Sequence, residues 1–465
     1  MSFKNSEDWR RQKYDRLSAL PDAVLCHILS FLPMKYVVAT SILSTRWKYL
    51  YMSVPVIELD DTVHSQEEEE SQDNIRSDSF RRFADRVLML RNADIIQFHL
   101  KCTTTFESSV INAWLCAVLL HKVQVLNLFM KYDNPRCLTS ELFTCKTLQW
   151  LNLDSSIIIK PKLVHLPNLK ILRLFGVELT DDGSIPQILA GCPKLEHLHM
   201  CGCQLHGIQV LDISTPSLKS LEFFNCYGAF RVVIDTPNLE DLCYVDFLNG
   251  DPLVKNLKSL VKAYLFPYSV TLQNTDDACL CGGHVSKFLN AMANTKSLTL
   301  LTVCLEGLLH SGCSIPKFQN LTYMKLVPRH NCHWELLPIL LHSTPNLKTL
   351  ALDMEFPDND IRQWPKFPVT QNQPICLAQY LRTVDIFNFK GMQFELDLLS
   401  YLLQYGQVLE KINLIFSQNN GFSNWSDAVR KISALPKTSS TCQLEFLCTS
   451  KNTFCKPVCL TSIRS

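Results

Sequence analysis

"LPNLKILRLFGVEL" (166–179) and "CPKLEHLHMCGCQL" (192–205) share one frame, L-x-x-L-x-Φ, in which Φ is an apolar residue. The same frame occurs in residues 145–156, 215–228 and 236–247. The first leucines of these five copies are separated by 21, 26, 23 and 21 residues. A regular interval of this kind predicts one short structural unit per copy, with each unit stacked on the next.

The frame recurs toward the C-terminus with less regular spacing and with other apolar residues in place of some leucines. Its later copies begin at Leu260, Leu298, Leu321, Leu347, Leu381 and Leu409. Intervals of 20–29 residues are those of leucine-rich repeats, in which each strand buries its leucines only against a stacked neighbour. The sequence therefore predicts an α/β fold, an irregular solenoid with a parallel sheet on its concave side. The long interval before Leu298 contains HVSKFLNAM (284–292), whose apolar spacing predicts an inserted helix.

The repeat frame also predicts which residues face away from the core. Side chains alternate along a strand, so the third and fifth residues of the frame, and the residue after Φ, point to the open side of the sheet. Aromatic residues beside Arg and His have the composition of a protein-binding surface. We therefore expect target-binding residues here: Trp150, Asn152, Asp154, Ile171, Arg173, Phe175, His197, His199, Glu222, Phe224, Tyr264, Phe266, Tyr323 and Lys325.

A separate apolar stretch, "LPDAVLCHILSFLPMKYVVATSILSTRWKYL", occupies residues 20–50. Pro21 suits the first turn of a helix, and Asp22 favours the positive end of the helix dipole. The apolar spacing predicts three short helices, a unit near the lower size limit for independent folding. Spacing alone leaves two interpretations open, namely a small bundle packed on the main body and a docking module whose apolar face belongs to another protein.

This stretch resembles an F-box. The similarity is carried by Leu20-Pro21-Asp22, by His27-Ile28-Leu29-Ser30-Phe31-Leu32-Pro33 and by Arg46-Trp47. The resemblance implies binding to a Skp-type adaptor and, through it, to a cullin–RING ubiquitin ligase. It implies that the adaptor-binding residues are Leu20, Pro21, Val24, Leu25, Ile28, Leu29, Leu32, Pro33, Val37, Val38, Leu43, Trp47 and Leu50.

The resemblance extends to plant F-box proteins with leucine-rich repeats, through FADRVLML (83–90) and ELFTCKTLQWLNL (141–153). The segment from Phe389 to ALPKTSSTCQLEF (434–446) resembles the small FBD module. The predicted organisation is a flexible N-terminal tail (1–14), the F-box (15–55), an acidic linker (56–78), the solenoid with an N-terminal helical cap (79–388), an FBD-like module (389–450) and a C-terminal tail (451–465).

Two helical stripes precede the first repeat and are predicted to form the N-terminal cap of the solenoid. One consists of Phe80, Phe83, Ala84, Val87 and Leu88, and the other of Ile111, Trp114, Leu115, Val118 and Leu119.

Composition excludes several classes of protein. The chain has 465 residues, with 45 Lys and Arg against 44 Asp and Glu, a balance that argues against a surface built to hold nucleic acid. The opening residues lack the apolar core of a secretory signal, and no apolar run approaches the roughly 20 residues of a membrane span. We expect no membrane partner and a nuclear or cytoplasmic location.

The most metal-like cluster is "HLHMCGCQLH" (197–206). The imidazoles of His197 and His199 and the thiols of Cys201 and Cys203 are of the types that bind zinc. His197, His199 and Cys201 alternate along one strand, however, and side chains at that spacing lie roughly 7 Å apart, which is too far for one ion. The frame instead places Cys203 and Cys226 where they cap backbone groups at the turn out of a strand. No phosphate-loop, nucleophile-elbow or zincin motif occurs, so we expect no metal, cofactor or catalytic site.

These observations favour a non-catalytic substrate receptor of a Skp–cullin–F-box ubiquitin ligase, which binds the adaptor at its N-terminus and a target protein on its repeats. The alternative is a repeat scaffold with no role in ubiquitination. A hidden enzyme is the third interpretation, because carboxylates from distant repeats converge in ways that a sequence does not reveal.

Overall fold

The computed structural model describes residue 17 and residues 19–64, 73–130, 136–154, 157–246, 252–266, 275–327, 336–354, 373–417 and 425–449. The expected N- and C-terminal tails, and most of the acidic tract, lie outside these residues. Among the described residues, no helix is both long enough and apolar enough to cross a membrane.

Helices and strands alternate along most of the chain. The helices are α1 (Asp22–Leu29), α2 (Met34–Ala39), α3 (Asp73–Met89), α4 (Ser108–Leu120), α5 (Ser184–Gly191), α6 (Thr275–Ala291), α7 (Val303–Ser311), α8 (Leu337–Ser343), α9 (Ile375–Gln379), α10 (Gln393–Tyr405) and α11 (Trp425–Ser433). Short 3₁₀ helices cover Thr40–Ile42, Trp47–Ser53, Asp61–His64 and Ser140–Thr144.

The strands are short, mostly of five residues. They are β1 (Val56–Asp60), β2 (Gln97–Cys102), β3 (Val125–Met130), β4 (Arg136–Cys137), β5 (Trp150–Asp154), β6 (Ile157–Ile159), β7 (Ile171–Phe175), β8 (Glu178–Leu179), β9 (His197–Cys201), β10 (Val210–Ser214), β11 (Ser220–Phe224), β12 (Arg231–Asp235), β13 (Asp241–Val245), β14 (Leu253–Lys255), β15 (Lys262–Leu265), β16 (Ser297–Leu301), β17 (Tyr323–Val327), β18 (Thr349–Asp353), β19 (Thr383–Phe387), β20 (Lys411–Ser417) and β21 (Gln443–Thr449).

The chain divides into two compact units, residues 1–177 with 191–193 and residues 178–190 with 194–465. In the first unit, β1, β2, β3, β5 and β7 pair in that order, and every pair is parallel. In the second unit, β9, β11, β13, β15, β16, β17, β18, β19, β20 and β21 likewise pair in order and in parallel.

The architecture is thus mixed α/β, an F-box region followed by a parallel-strand sheet, consistent with a leucine-rich-repeat solenoid. The inward leucines explain the pairing, because the residues at frame positions one, four and six are buried in successive strands. Leu169, Leu172 and Leu174 are 3 % exposed or less. The predicted inserted helix is confirmed as α6, whose Val285, Phe288 and Leu289 are fully buried.

The expected start of the acidic linker is wrong. Residues 56–60 form β1, which pairs in register with β2, and its Ile57 and Leu59 are buried. The next residue, Asp61, accepts hydrogen bonds from the backbone N–H and hydroxyl groups of Thr103 and Thr104 at 2.7–2.9 Å. The apolar residues of VIELD alternate with polar ones, a pattern that predicts a strand. The acidic residues that follow led to the prediction of a linker instead.

The two helices of the expected N-terminal cap connect the first strands of the sheet. α3 connects β1 to β2 and α4 connects β2 to β3, so both helices are crossovers within the sheet. Their apolar stripes are buried as predicted, since Phe80, Ala84, Trp114 and Leu115 are at most 1 % exposed. Two parallel strands need a crossover connection, which is usually a helix. An apolar helical stripe between two strands is therefore expected inside a sheet as well as at its end.

A pH-dependent element lies at the start of α10. The Glu395 side chain is 1 % exposed, and its carboxylate accepts hydrogen bonds from the backbone N–H of Lys390 and Met392. Burial raises the pKa of Glu395 to about 7, although those backbone hydrogen bonds oppose the shift. The folded chain therefore retains a proton at pH values where the unfolded chain has released it.

Replacing Glu395 by Gln should flatten the pH dependence of stability. For an acid whose pKa is raised by folding, the free energy of unfolding decreases as pH rises from its unfolded pKa to its folded pKa. We expect the free energy of unfolding of Glu395→Gln, minus that of the unmodified chain, to increase by up to about 3 kcal/mol between about pH 4.5 and pH 7. Urea denaturation at a series of pH values measures this difference. A difference that does not change with pH would contradict the expectation.

Candidate functional sites

The F-box region has a small core of its own. Leu25 and Leu29 lie one helical turn apart on α1 and are buried, as is Val37 on α2. Trp47 and Leu50, from the 3₁₀ helix that follows, complete the core. These five residues were expected to contact an adaptor, and that contact stays a prediction: in this chain their side chains fill the interior of the F-box region. Aspartate at Leu29 would place an unpaired charge in that core and disrupt the region itself.

The exposed apolar residues lie beside this core. Val24 and Ile28, one turn apart on α1, and Leu32, just after the helix, are 40–43 % exposed, and Leu43 is 65 % exposed. Sequence reasoning missed further exposed apolar residues: Leu17, Phe31, Tyr36, Ile42 and Tyr49. Pro21 is exposed, whereas Leu20, Pro33 and Val38 are half-buried. We call the exposed apolar set the F-box face. So many exposed apolar side chains within 33 residues mark an interaction surface.

One ion pair holds the beginning of α1. The Arg46 guanidinium donates to Asp22 Oδ1 through Nε at 3.0 Å and through Nη2 at 2.5 Å, and it also donates to the backbone carbonyl of Leu20. The pair is partly exposed, so its contribution to stability is modest. Its geometric effect is to tie the segment before Trp47 to the first turn of α1, which orients the F-box face.

In the first unit, the predicted open-face residues lie on β5 and β7. Their backbones pair in register as Trp150 with Ile171, Asn152 with Arg173, and Asp154 with Phe175. All six side chains are half-buried. Arg173 lies over the indole ring of Trp150, with 5.0 Å between the guanidinium carbon and the ring centroid. The alternating burial of β5 and β7 matches the alternation that the frame predicts.

In the second unit, the predicted open-face residues gather around one cavity. It measures about 340 Å³ and crosses strands β11, β13, β15, β16 and β17. Five predicted target-binding residues line it: Glu222, Tyr264, Phe266, Tyr323 and Lys325. Sequence reasoning missed Asp241, Cys243, Lys262 and Thr299, which also line it. His197, His199 and Phe224 lie on β9 and β11 and are half-buried.

Small side chains account for the cavity. Cys243 and Thr299 line the cavity and flank Tyr264 at the same register position. Because neighbouring strands lie about 4.8 Å apart, the row from β11 to β17 extends over about 19 Å. The volume lies within the range of about 300–1,000 Å³ that is usual for ligand pockets. The cavity therefore offers room for side chains of a bound protein.

Lys325 was expected to be exposed on the open face, and this is corrected. Its side chain is on that face but only 5 % of the residue is exposed. The ammonium lies 3.2 Å from Asp353 Oδ2 and 4.9 Å from the centroid of the Phe387 ring. Asp353 also accepts a hydrogen bond from Asn388 at 2.7 Å. Lys325 is therefore a paired charge in the wall of the cavity rather than a free contact.

The metal-like cluster has structural roles. His199 Nδ1 lies 3.0 Å from Glu222 Oε2 on the adjacent strand. The prediction for the two cysteines is confirmed, because Cys203 and Cys226 donate to the carbonyls of Cys201 and Phe224 at the turns that leave their strands. Burial, and then the neighbouring Cys203, raise the pKa of the Cys226 thiol well above its usual value, which disfavours the thiolate that zinc binds. Among the residues that the structure describes, no three His, Cys, Asp or Glu side chains converge as a metal site.

A small apolar helical module followed by a leucine-lined parallel sheet defines the class as F-box proteins with leucine-rich repeats. Three family descriptions match: "F-box domain" over residues 17–54, "FBD-associated F-box protein At5g56370, LRR repeats" over residues 111–259, and "FBD" over residues 371–414. The FBD match begins before the segment that the sequence suggested.

Relatives from Arabidopsis thaliana match most of the chain. F-box/LRR-repeat protein At4g14103 is 35 % identical and covers 72 % of this chain and 91 % of its own length. Putative F-box/FBD/LRR-repeat protein At1g66290 is 28 % identical, with 95 % of this chain and 96 % of its own length covered. F-box/FBD/LRR-repeat protein At5g56420 is also 28 % identical, with 93 % of this chain and 99 % of its own length covered. The chain belongs to the plant F-box/FBD/LRR-repeat family.

Proposed function

We propose that this chain is the substrate-recognition subunit of a Skp–cullin–F-box ubiquitin ligase. The observation that carries the proposal is the F-box face, because the core of the F-box region is filled by its own side chains and Ile28, Phe31 and Leu43 remain exposed. A Skp-type adaptor covers this face and links the chain to a cullin–RING ligase. The chain itself does no chemistry, and it acts in the nucleus or the cytoplasm.

In this proposal, the repeats hold the target protein on the open face of the sheet. Binding there raises the effective concentration of the target near the ubiquitin-transferring enzyme, which is attached elsewhere in the complex. The cavity across β11 to β17 supports the proposal, since aromatic residues in a partly enclosed site are typical of the residues that dominate binding energy. The proposed boundaries are residues 15–55 for the F-box, residues 79–388 together with β1 for the solenoid, and residues 389–450 for the FBD-like module.

Co-expression of the full chain with a Skp-type adaptor tests the adaptor half of the proposal. We expect the two proteins to co-elute in size-exclusion chromatography as a stoichiometric complex. Elution of the folded chain without adaptor would favour the alternative, a repeat scaffold with no role in ubiquitination.

Tyr264→Ala should weaken target capture while adaptor binding is retained. Tyr264 is half-buried in the cavity, and truncating an aromatic residue at such a position typically weakens binding by 2 kcal/mol or more, about 30-fold. The measurement is proximity labelling with the proteasome inhibited, comparing the proteins labelled by the variant and by the unmodified chain. Phe230→Ala is the matched control, because Phe230 is an aromatic residue of the second unit that is 64 % exposed and outside the cavity lining. If Tyr264→Ala labels the same proteins as the unmodified chain, the cavity is not part of the target-binding site.

A further inference from the structure

Three adjacent polar side chains on the open face of the first unit form no hydrogen bond. They are Trp150 and Asn152 on β5 and Arg173 on β7. Trp150 Nε1, Asn152 Oδ1 and Arg173 Nε are each shielded from solvent and have no hydrogen-bonding partner. Such groups are uncommon in folded proteins, and each requires an explanation.

Polar residues elsewhere on the same kind of strand are paired. In the first unit, Asn127 Nδ2 and His99 Nδ1 lie 2.8 Å apart on β3 and β2. In the second unit, Asn413 Nδ2 donates to Asp385 at 2.6 Å, although Asn413 Oδ1 is buried without a partner, and Lys325 is paired with Asp353. The open face therefore satisfies its polar groups where neighbours of the right chemistry are adjacent. Asn152 stands beside Asn127 and Arg173 in the register and is bonded to neither.

Arg173 determines what chemistry would complete this cluster. Its guanidinium lies over the Trp150 ring, the residue is half-buried, and none of the ion pairs found among the described residues includes it. A guanidinium presents a planar fork of N–H donors that matches the oxygens of a carboxylate or a phosphate. The ring beneath it limits its orientations, so the donors are held in place before a ligand arrives.

We propose that Trp150 and Arg173 bind an acidic side chain of the target protein through its oxyanion, either the carboxylate of Asp or Glu or the phosphate of a phosphorylated residue, and that Asn152 contacts the adjacent backbone of the target. Arg173 supplies the charge and the forked donors, and Trp150 Nε1 adds a neutral donor when the indole adjusts to the ligand. Asn152 Oδ1 accepts a hydrogen bond from a backbone N–H of the target beside that acidic side chain. This inference rests on the proposed function, because it specifies which chemistry of a target the repeats recognise.

The test uses the purified full-length chain in complex with its adaptor and an immobilised library of nine-residue peptides. The central position is fixed as Asp, Glu or phosphoserine, or as the neutral counterparts Asn, Gln and Ser, and the other positions are varied. We expect peptides with an acidic centre to bind at least about tenfold more tightly than their neutral counterparts, as charge-assisted hydrogen bonds are about twice as strong as neutral ones. Comparison of Glu with phosphoserine identifies the oxyanion.

Variants assign the preference to this cluster. Arg173→Gln should abolish it, Arg173→Lys should retain part of it because charge remains without the fork, and Trp150→Phe should weaken it while keeping an aromatic ring. Arg82→Gln is the control, since Arg82 is an exposed arginine on α3. Circular dichroism establishes that each variant is folded.

Three results would overturn the proposal: equal binding of acidic and neutral peptides, a preference that survives Arg173→Gln, or no binding of any acidic peptide at millimolar concentration. Adaptor co-elution is recorded for the same samples. Loss of the adaptor with the acidic preference intact would count against the proposed function and not against this site. In the unmodified chain, the absence of an acidic preference with the adaptor still bound would count against this site alone.

Discussion

Leu43→Asp is expected to abolish recovery of a Skp-type adaptor with this chain while the chain remains folded. Leu43 is 65 % exposed on the F-box face, so aspartate there is tolerated in the free protein. In the complex, the same carboxylate would lie in a desolvated contact without a partner, at a cost of about 3 kcal/mol or more. This corresponds to at least a 100-fold weaker affinity. Ile28→Asp, at a residue of α1 that is 40 % exposed, should have the same effect.

The control is Leu120→Asp, the same substitution at a leucine of α4 that is 83 % exposed and outside the F-box. It should bind the adaptor like the unmodified chain. Affinities are measured by isothermal titration calorimetry with purified adaptor, and thermal unfolding followed by circular dichroism shows whether each variant keeps its fold. If Leu43→Asp and Ile28→Asp both bind the adaptor normally, the F-box face does not contact it.

Trp114→Ala is expected to produce the largest loss of stability among single substitutions in the first unit. The Trp114 side chain is fully buried between Phe80 and Phe106, with ring centroids 6.0 Å and 5.4 Å away. Its indole N–H also donates to Asp85 Oδ1 at 2.7 Å. Truncation leaves a large cavity and removes this hydrogen bond, at a cost of about 3–5 kcal/mol in the free energy of unfolding.

Trp114→Phe separates the two contributions, because it retains an aromatic ring and loses the donor to Asp85. We expect it to lose clearly less stability than Trp114→Ala. Urea denaturation followed by circular dichroism measures both variants. A loss below about 1 kcal/mol for Trp114→Ala would mean that the aromatic cluster is not a stabilising contact between α3 and α4.

The repeat frame predicted most of the sheet. An interval of about 21 residues from Leu148 to Leu169 and the alternation within each copy were enough to place β5, β7, β9, β11 and β13 and to assign the face of each side chain. The prediction was local, because period-two alternation and one turn signal per copy depend on neighbours in sequence. It was weakest before residue 145, where no leucine frame marks β1, β2 or β3.

The F-box region shows what local sequence patterns do not predict, namely which apolar residues are buried. Helical spacing correctly placed Val24, Leu25, Ile28 and Leu29 on one broad apolar side of α1. It did not separate the exposed pair, Val24 and Ile28, from the buried pair, Leu25 and Leu29. The separation follows from the 3₁₀ helix at Trp47–Ser53, which packs on one half of that side and leaves the other half uncovered.

By itself the sequence determined the class of fold, the register of the inward leucines and the residues that share the open face. Tertiary structure alone decided which of those residues are paired, buried or unsatisfied. Lys325 is buried because Asp353 and Phe387, on the next two strands, contact its ammonium, whereas Arg173 is in none of the ion pairs found among the described residues. The physical reason is that alternation follows from the backbone of a single strand, while pairing and burial depend on side chains brought together from distant parts of the chain.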